Sequence, residues 1–144
     1  MGIDNSDSPL AKFRTEHNVE LCSEQELFHI DAQGQWFYQQ SQLPNKFAKL
    51  FSQILQLEGD QYFLVTPVEK VKVTVKNVPF NIVDFNELAS GAIELTSSIG
   101  TVHQLNNVEA FVVHESAITC VVERELSANL NRACYYRFIE KYLN

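Results

Sequence analysis

The segment Thr66-Pro67-Val68-Glu69-Lys70 combines residue types that suit a binding site at the end of a strand. Proline cannot donate to a β ladder, so Pro67 interrupts strand pairing and leaves neighbouring backbone groups open to a ligand or to a partner's edge. Thr66, Glu69 and Lys70 would place a hydroxyl, a carboxylate and an ammonium group beside that break. The alternative is that Glu69 and Lys70 are only the solvated start of a strand. We predict ligand or partner binding at Thr66, Glu69 and Lys70.

Two arginines and the single tryptophan complete the predicted site. Arg124 lies between the last predicted strand and the last predicted helix, and Arg132 lies further along that helix. With a helix N-terminus they would form an anion pocket, because guanidinium groups and free backbone N–H groups both favour anions. Salt bridges to neighbouring glutamates are the alternative. Trp36 either packs a hairpin onto a helix or offers a flat surface on which a ligand stacks, and it is included in the predicted site.

Catalytic and metal-binding motifs are missing from the sequence. It contains no P-loop, GxGxxG, HExxH, GxSxG or EF-hand pattern. His103, His114 and Cys120 carry groups that bind zinc, but their spacing matches no zinc site. A nucleophile would need a base beside it, and no spacing in the sequence supplies one. We therefore predict no catalytic residue, no metal and no cofactor, and an enzyme such as a hydrolase is the least favoured interpretation.

Bulk composition is that of one ordinary folded domain, or of two small halves that share a core. The 144 residues are 45% hydrophobic and ten are phenylalanine, which predicts an aromatic core. Three cysteines without CxxC spacing predict reduced thiols and a cytoplasmic protein. The chain has neither an apolar run long enough to span a membrane nor an N-terminal signal region, and we predict no membrane association. Gly2 and Ser6 fit a myristoylation pattern, but no basic cluster follows, so a chance match is preferred.

The net charge of −7 opposes attraction to nucleic acid or to an anionic membrane. A local basic face still exists, because residues 70–76 alternate lysine or threonine with valine. This period-2 pattern predicts a half-buried strand. Its lysines either protect a sheet edge or form a functional surface. The alternative function is a nucleic-acid binder that uses Lys70, Lys72 and Lys76, with Trp36 or Tyr62 for base stacking.

Periodicity predicts a hairpin, a helix and strands in the first half. Residues 27–30 and 36–38 read as a hairpin around the Asp31-x-x-Gly34 turn. A helix begins with Pro44 at its first position, carries a stripe of apolar side chains from Phe47 to Leu55, and ends at residues 59–60. A strand over residues 62–65 then precedes the lysine strand.

Turn signals at intervals of about ten residues predict an antiparallel meander in the second half. Its strands cover residues 80–85, 92–96, 101–105, 110–113 and 119–122. Ser127 is a suitable N-cap for a final helix that runs to about residue 142. This helix is apolar on more than one face, so it should contact the sheet and either the other half or a second copy in a homodimer.

The predicted organisation is a partly disordered segment (1–24), an N-terminal half (25–78) and a C-terminal half (79–144). Shifting the chain by 83 residues places Phe28 and Ile30 on Phe111 and Val113. The same shift places the first helix on the last. This relation predicts duplicated halves, each a hairpin followed by a helix, with chance similarity as the alternative.

Several motifs together resemble the uncharacterised proteobacterial domain-of-unknown-function family 1285. They are Ile30-Asp31-x-x-Gly34-x-Trp36, Leu50-Phe51 with Leu55, the run from Tyr62 to Val71, Val75 with Pro79-Phe80, and Val122, Arg124, Leu126, Leu130, Arg132 and Tyr135-Tyr136. Asn129 stands where the family is expected to carry an arginine, and Thr96-Ser97-Ser98 only loosely matches its Thr-Asn turn. The resemblance implies a two-part α+β fold whose C-terminal half is pleckstrin-homology-like, and a signalling or ligand-binding role.

The sequence thus predicts an α+β fold of antiparallel sheets with two main helices. The predicted function is a non-enzymatic binding or signal-transduction module that recognises a protein or other ligand at the junction of its two halves. The predicted binding residues are Trp36, Thr66, Glu69, Lys70, Arg124 and Arg132.

Overall fold

Two six-stranded sheets and two helices make up the computed structural model, which describes residues 27–143. The first sheet contains β1 (Phe28–Ile30), β2 (Trp36–Tyr38), β3 (Ser41–Gln42), β4 (Leu55–Glu58), β5 (Gln61–Val65) and β6 (Lys70–Val75), with helix α1 (Asn45–Ser52) between β3 and β4. The second sheet contains β7 (Phe80–Glu87), β8 (Ile93–Ser97), β9 (Val102–Leu105), β10 (Val112–Val113), β11 (Ile118–Val121) and β12 (Ser127–Leu130). Helix α2 (Arg132–Phe138) follows and continues as a π-helical turn (Ile139–Leu143). The α+β class is confirmed.

Both sheets have the same strand order. It is β3-β2-β1-β6-β5-β4 in the first sheet and, read from the opposite end, β9-β8-β7-β12-β11-β10 in the second. In each sheet the first and sixth strands form a parallel pair at the centre, with Phe28 opposite Val73 and Phe80 opposite Ala128. All other strand pairs are antiparallel.

The halves are therefore duplicated in topology, but the predicted 83-residue alignment is wrong. Phe80 occupies the place of Phe28, 52 residues earlier, at the start of the first strand of each sheet. The helices are not equivalent, because α1 follows the third strand of its sheet and α2 follows the sixth. The second sheet is curled and is followed by the C-terminal helix, which is consistent with a pleckstrin-homology-like arrangement.

The N-terminal hairpin is confirmed and its turn is held by a side chain. One Oδ atom of Asp31 accepts hydrogen bonds from the backbone N–H groups of Gln33 and Gln35, at 3.0 and 2.9 Å. Gly34 adopts a φ of +76°, which glycine reaches without steric cost. This Asx turn leads directly into β2.

Helix α1 is confirmed, but it ends at Ser52 and not at residues 59–60. The apolar stripe continues through Leu55 because that residue is also buried, in β4, where it pairs with Leu64. Gly59 lies in the turn between β4 and β5. A helical stripe and a short buried strand give the same local pattern of apolar residues, so the pattern alone misplaced the boundary.

The lysine strand, β6, alternates as predicted. Val71 and Val73 are buried, whereas Lys70 and Lys72 are exposed. The strand lies in the interior of its sheet, between β1 and β5. Edge protection is therefore the wrong explanation for these lysines.

The strands of the second half are confirmed, but the final helix does not begin at Ser127. Residues 127–130 form β12, in which Ala128 and Leu130 are buried and their neighbours are not. The helix begins at Arg132, and the Asn131 side chain caps it by accepting a hydrogen bond from the Cys134 N–H at 2.8 Å. Serine and asparagine are both good N-caps, and the period-2 burial of Ala128 and Leu130 decides in favour of a strand.

One continuous aromatic-rich core joins the two halves and includes Phe28, Phe51, Phe80, Phe85 and Phe138. Within residues 27–143 no helix has the length and apolar character needed to cross a membrane. The predictions for residues 1–24, including the Gly2–Ser6 pattern, fall outside the described residues.

Candidate functional site

A cleft of about 530 Å³ lies where the two halves meet, and we call it the junction cleft. The β1–β2 turn of the first sheet forms one wall. The second sheet, its β10–β11 turn and the start of α2 form the remainder. The lining residues are Ala32, Gln33, Asn81, Glu115, Ser116, Ala117, Asn129, Leu130, Asn131, Arg132, Tyr135 and Tyr136.

Two asparagine side chains form the polar floor of the junction cleft. Asn81 on β7 and Asn129 on β12 are register partners in the central parallel pair. Their neighbours along each strand are buried in the core, so alternation turns both amides to the opposite face. Neither amide makes a side-chain hydrogen bond to a described residue. The floor therefore offers donors and acceptors side by side to a ligand.

Arg132 supplies positive charge to the same cleft. One of its Nη atoms donates to the Tyr136 hydroxyl at 3.0 Å, and its guanidinium carbon lies 5.9 Å from the centre of that ring. No carboxylate among the described residues pairs with it. The Tyr135 hydroxyl donates to the Glu115 carbonyl at 3.2 Å and ties α2 to the β10–β11 turn. Arg132 therefore keeps most of its donors for an anion.

Gly34 sets how closely the two halves approach beside the junction cleft. A Cβ atom at this position would lie 2.7 Å from the Ser98 Oγ, 2.9 Å from the Asn81 Cβ and 3.0 Å from the Asn81 backbone nitrogen. The Ser98 N–H in turn donates to the Asn81 carbonyl at 2.8 Å. The β1–β2 turn therefore rests directly on β7, and only glycine allows this contact.

Arg124 lies elsewhere and holds the halves together from the second half. Its Nε and one Nη donate to the carbonyls of Leu55 and Ser52, at 3.2 and 2.7 Å. Ser52 is the last residue of α1, so the guanidinium satisfies carbonyl groups at and just beyond the helix C-terminus. The structure does not bring Arg124 and Arg132 to one cleft.

Arg124 instead borders a second cleft, of about 310 Å³, which we call the β9 cleft. Its lining residues are Lys49, Ser52, Gln53, Gly100, Thr101, Val102, His103, Glu123 and Arg124. His103 is 5% exposed. Its Nδ1 lies 2.8 and 2.9 Å from the two Glu123 carboxylate oxygens, and its Nε2 lies 2.8 Å from the Thr101 Oγ1.

Burial raises the pKa of Glu123. This effect is outweighed by the hydrogen bond from His103, by a bond from the residue's own backbone and by the charges of His103 and Arg124, so the net pKa lies below its usual value. The pairing of His103 with Glu123 was not predicted from the sequence, because 20 residues separate them. The only local signal was the i, i+2 spacing of Thr101 and His103, which places both side chains on one face of an extended segment.

The Thr66–Lys70 turn is closed by its own hydrogen bonds. The Thr66 N–H donates to the Glu69 carbonyl at 2.9 Å, and the Glu69 N–H donates to the Thr66 hydroxyl at 3.1 Å. Lys70 pairs with Glu58 at 2.6 Å and lies 4.4 Å from the centre of the Phe63 ring. Thr66, Glu69 and Lys70 line neither the junction cleft nor the β9 cleft.

Trp36 is a packing residue, as one of its two interpretations predicted. It is 1% exposed and its ring centre lies 6.4 Å from that of Phe51 on α1. A ligand cannot stack on a side chain that the core covers. Trp36 therefore does not belong to the junction cleft, and it is not available for base stacking.

The thiols of Cys120 and Cys134 are buried and free. Burial raises the pKa of Cys120 to about 12. Burial is also the largest cause of the raised pKa of Cys134, where the nearby Arg137 opposes it. No group of three His, Cys, Asp or Glu side chains in residues 27–143 could hold a metal ion.

These thiols should resist alkylation. Because the thiolate is the nucleophile, N-ethylmaleimide at neutral pH should leave Cys120 and Cys134 unmodified in the folded protein and label both in denaturant. Peptide mapping by mass spectrometry checks this result. Labelling of either residue in the folded protein at the rate seen in denaturant would contradict the burial described above.

Comparisons with known proteins agree on a family. Residues 15–78 match the model of the N-terminal domain of DUF1285, a domain of unknown function. No curated protein matches the chain. A DUF1285 family protein from Shewanella baltica OS155 has a crystal structure similar to this one, with 43% sequence identity and a TM-score of 0.75. The match covers 83% of this chain and 95% of that one.

A second solved structure, of a DUF1285 family protein from Silicibacter pomeroyi DSS-3, is 25% identical with a TM-score of 0.69. That match covers 93% of this chain and 84% of the other. The identity and coverage of the Shewanella protein, together with the matched domain, show that this chain belongs to the DUF1285 family.

Proposed function

We propose that this protein is a binding module whose junction cleft takes a ligand that carries a carboxylate and an amide, such as the C-terminal residues of a short peptide. The observation behind the proposal is the convergence of three polar side chains with spare hydrogen-bonding groups on one cleft. The amides of Asn81 and Asn129 make no side-chain hydrogen bond within residues 27–143, and Arg132 donates only one of its N–H groups, to Tyr136. Buried or half-buried polar groups that lack protein partners are the usual specificity elements of a binding cleft.

Each group in the cleft suits one part of such a ligand. A guanidinium group binds a carboxylate through two parallel hydrogen bonds. Paired asparagine amides match the donor and acceptor of a peptide group. The Tyr135 and Tyr136 rings, which lie at 82° to each other, provide apolar surface, and the Glu115 side chain can accept from an ammonium group. A ligand with one carboxylate and one amide therefore fits better than a polyanion.

The position of the cleft suits a signalling role. Ala32 and Gln33 belong to the first sheet, whereas Asn81 and Asn129 belong to the second. A ligand in the cleft contacts both halves and stabilises their packing. Binding would thus favour one arrangement of the halves, which is the physical requirement for a ligand-dependent signal.

Titration of an alanine tripeptide into isotopically labelled protein tests the proposal. The expected result is a set of amide chemical-shift changes at Asn81, Asn129 and Arg132. Changes confined to residues outside the cleft, or no change at millimolar peptide, would contradict it. The same peptide with an amidated C-terminus is the matched control, because it keeps the peptide groups and lacks the carboxylate.

Replacing Arg132 by alanine should weaken binding of this tripeptide about tenfold or more, because a hydrogen bond to a charged group contributes roughly 1.5–3 kcal/mol. Isothermal titration calorimetry measures the change. The Lys141→Ala variant is the matched control, because Lys141 is an exposed cation on the same C-terminal segment that does not line the cleft. Equal affinities of the Arg132→Ala and Lys141→Ala variants would exclude Arg132 from the site.

Two further surfaces stay predictions. Thr66 and Glu69 are half-buried and Lys70 is exposed, in a turn that a partner protein could contact. Loss of partner binding in a Lys70→Glu variant would support this role. Dimerisation through the C-terminal helix would use exposed apolar side chains such as Tyr136 and Leu143, which are 55% and 54% exposed. Sedimentation analysis tests the dimer.

A further inference from the structure

The geometry points to a second site with a different chemistry. We propose that the β9 cleft is an acyl-transfer site in which the Thr101 hydroxyl is the nucleophile and the His103 imidazole is its general base. Glu123 is the residue that positions the imidazole. This inference does not depend on ligand binding in the junction cleft, because the two clefts share no lining residue.

The hydrogen bonds around His103 are compatible with a neutral imidazole that is protonated on Nδ1, which is the form that a general base requires. Nδ1 faces both oxygens of the Glu123 carboxylate, at 2.8 and 2.9 Å, so it carries the proton that it donates. Nε2 of the neutral imidazole then accepts, and the Thr101 hydroxyl donates to it over 2.8 Å. A hydroxyl that donates to an imidazole held by a carboxylate is the arrangement that activates alcohol nucleophiles in enzymes.

Ser97 completes the chain. The Thr101 N–H donates to the Ser97 Oγ at 3.1 Å, so this oxygen accepts. The Ser97 hydroxyl proton is then directed at the Thr101 Oγ1, 2.5 Å away. One lone pair of the Thr101 oxygen is used in this bond and the second remains for attack on a substrate. Ser97 is itself 2% exposed and is a positioning residue.

A cation from the other half lies beside the nucleophile. The Lys49 side chain of α1 reaches Gly100, where a Cβ atom would lie 2.7 Å from its Cε and 3.1 Å from its Nζ. Gly100 immediately precedes Thr101, and both residues line the cleft with Lys49. Lys49 makes no ion pair with the described residues. Its ammonium group is available to stabilise the negative charge that develops on an acyl oxygen.

The reaction that these groups can perform is hydrolysis of a small carboxylic ester. The Thr101 Oγ1 forms a bond to the carbonyl carbon, and its proton passes to the His103 Nε2. The bond from that carbon to the leaving alkoxy oxygen breaks, and the imidazole returns the proton to the departing alcohol. Water then attacks the acyl carbon and gives a proton to the His103 Nε2. The bond from that carbon to the Thr101 Oγ1 breaks, and the imidazole returns the proton to this oxygen, which releases the carboxylic acid and restores the hydroxyl.

A purely structural network is the competing explanation, and p-nitrophenyl acetate distinguishes the two. We expect release of p-nitrophenolate together with an acetyl group on Thr101, found by peptide mapping of the quenched wild-type protein. The Thr101→Val variant should lose this adduct, and His103→Gln should lower its rate of formation about 100-fold. If the acetyl group is found only on lysine or other histidine side chains, or if Thr101→Val is acetylated as fast as the wild type, the proposal is overturned.

Two further variants control for folding and for background reactivity. Thr101→Ser keeps a hydroxyl at this position, so a folded protein of this variant should still be acetylated there. Absence of the adduct in folded Thr101→Ser counts against the proposal. His114 and Thr119 form a second histidine–threonine hydrogen bond, at 3.1 Å, with no carboxylate of the described residues on the imidazole. His114→Gln should therefore leave the acetylation rate of Thr101 unchanged.

The Glu123→Gln variant tests whether Glu123 positions the His103 imidazole for the reaction or only stabilises the folded protein. An amide in place of the carboxylate no longer favours the imidazolium that forms during attack. We expect about a tenfold or greater loss of rate and a pH–rate profile that differs from that of the wild type. A variant that is destabilised but keeps both the rate and the profile would show that Glu123 has only a structural role, and would overturn its assignment.

Discussion

Replacing Gly34 by alanine should destabilise the protein by about 2–4 kcal/mol and abolish tripeptide binding in the junction cleft. Two costs add. A non-glycine residue at a φ of +76° costs roughly 1 kcal/mol or more in backbone strain. The added Cβ would also lie within 3.0 Å of the Asn81 backbone nitrogen, which cannot move without shifting β7. Chemical denaturation measures the loss of stability, and calorimetry measures the loss of tripeptide binding.

Gly59 supplies the matched control for this prediction. It adopts a similar φ of +64°, but a Cβ atom there would meet nothing within 4 Å. Gly59→Ala should therefore show the strain alone, and the difference between the two variants isolates the close contact between the halves. Equal free energies of unfolding for Gly34→Ala and Gly59→Ala would mean that the β1–β2 turn does not rest on β7 as described.

Replacing Arg124 by alanine should lower the free energy of unfolding by about 2–3 kcal/mol, because two charge-assisted hydrogen bonds to the Ser52 and Leu55 carbonyls are lost. These bonds join a turn of the second half to the end of α1 in the first. Urea denaturation checks the value. Arg124→Lys should recover only part of the loss, because an ammonium group does not present the planar fork that reaches both carbonyls.

Backbone conformation allows a second comparison at the same position. Arg124 adopts a φ of 55°, in the left-handed region. Arg124→Gly removes the same hydrogen bonds but relieves this strain, so it should be roughly 1 kcal/mol more stable than Arg124→Ala. If Arg124→Ala unfolds at the same urea concentration as the wild type, the guanidinium does not join the halves.

Local patterns in the sequence predicted the elements that local interactions determine. The Asp31-x-x-Gly34 turn and the alternation in β6 are complete within a few residues, and both are found where they were expected. The end of α1 and the start of α2 were misplaced. Apolar residues such as Leu55, Ala128 and Leu130 are buried in either conformation, and it is tertiary pairing with β5 or β7 that makes them extended.

The candidate site could be predicted only in part, because it depends on contacts between residues that are distant in the chain. Arg132 was predicted. Asn81 was not, because only the parallel pairing of β7 with β12 brings it beside Asn129. Asn129 is the position at which the family resemblance leads one to expect arginine, and it lies on the floor of the junction cleft. The amide in its place lowers the positive charge of the cleft and is consistent with a ligand that carries a single carboxylate.

A double-mutant cycle on ligand and protein tests the central claim most directly. The affinities of the alanine tripeptide and of its C-terminal amide are measured by calorimetry for the wild type and for Arg132→Ala. If the junction cleft holds the carboxylate on Arg132, the wild type prefers the free acid by about tenfold or more and the variant shows no preference. An equal preference for the free acid in both proteins would show that Arg132 does not bind the carboxylate and would contradict the proposed function.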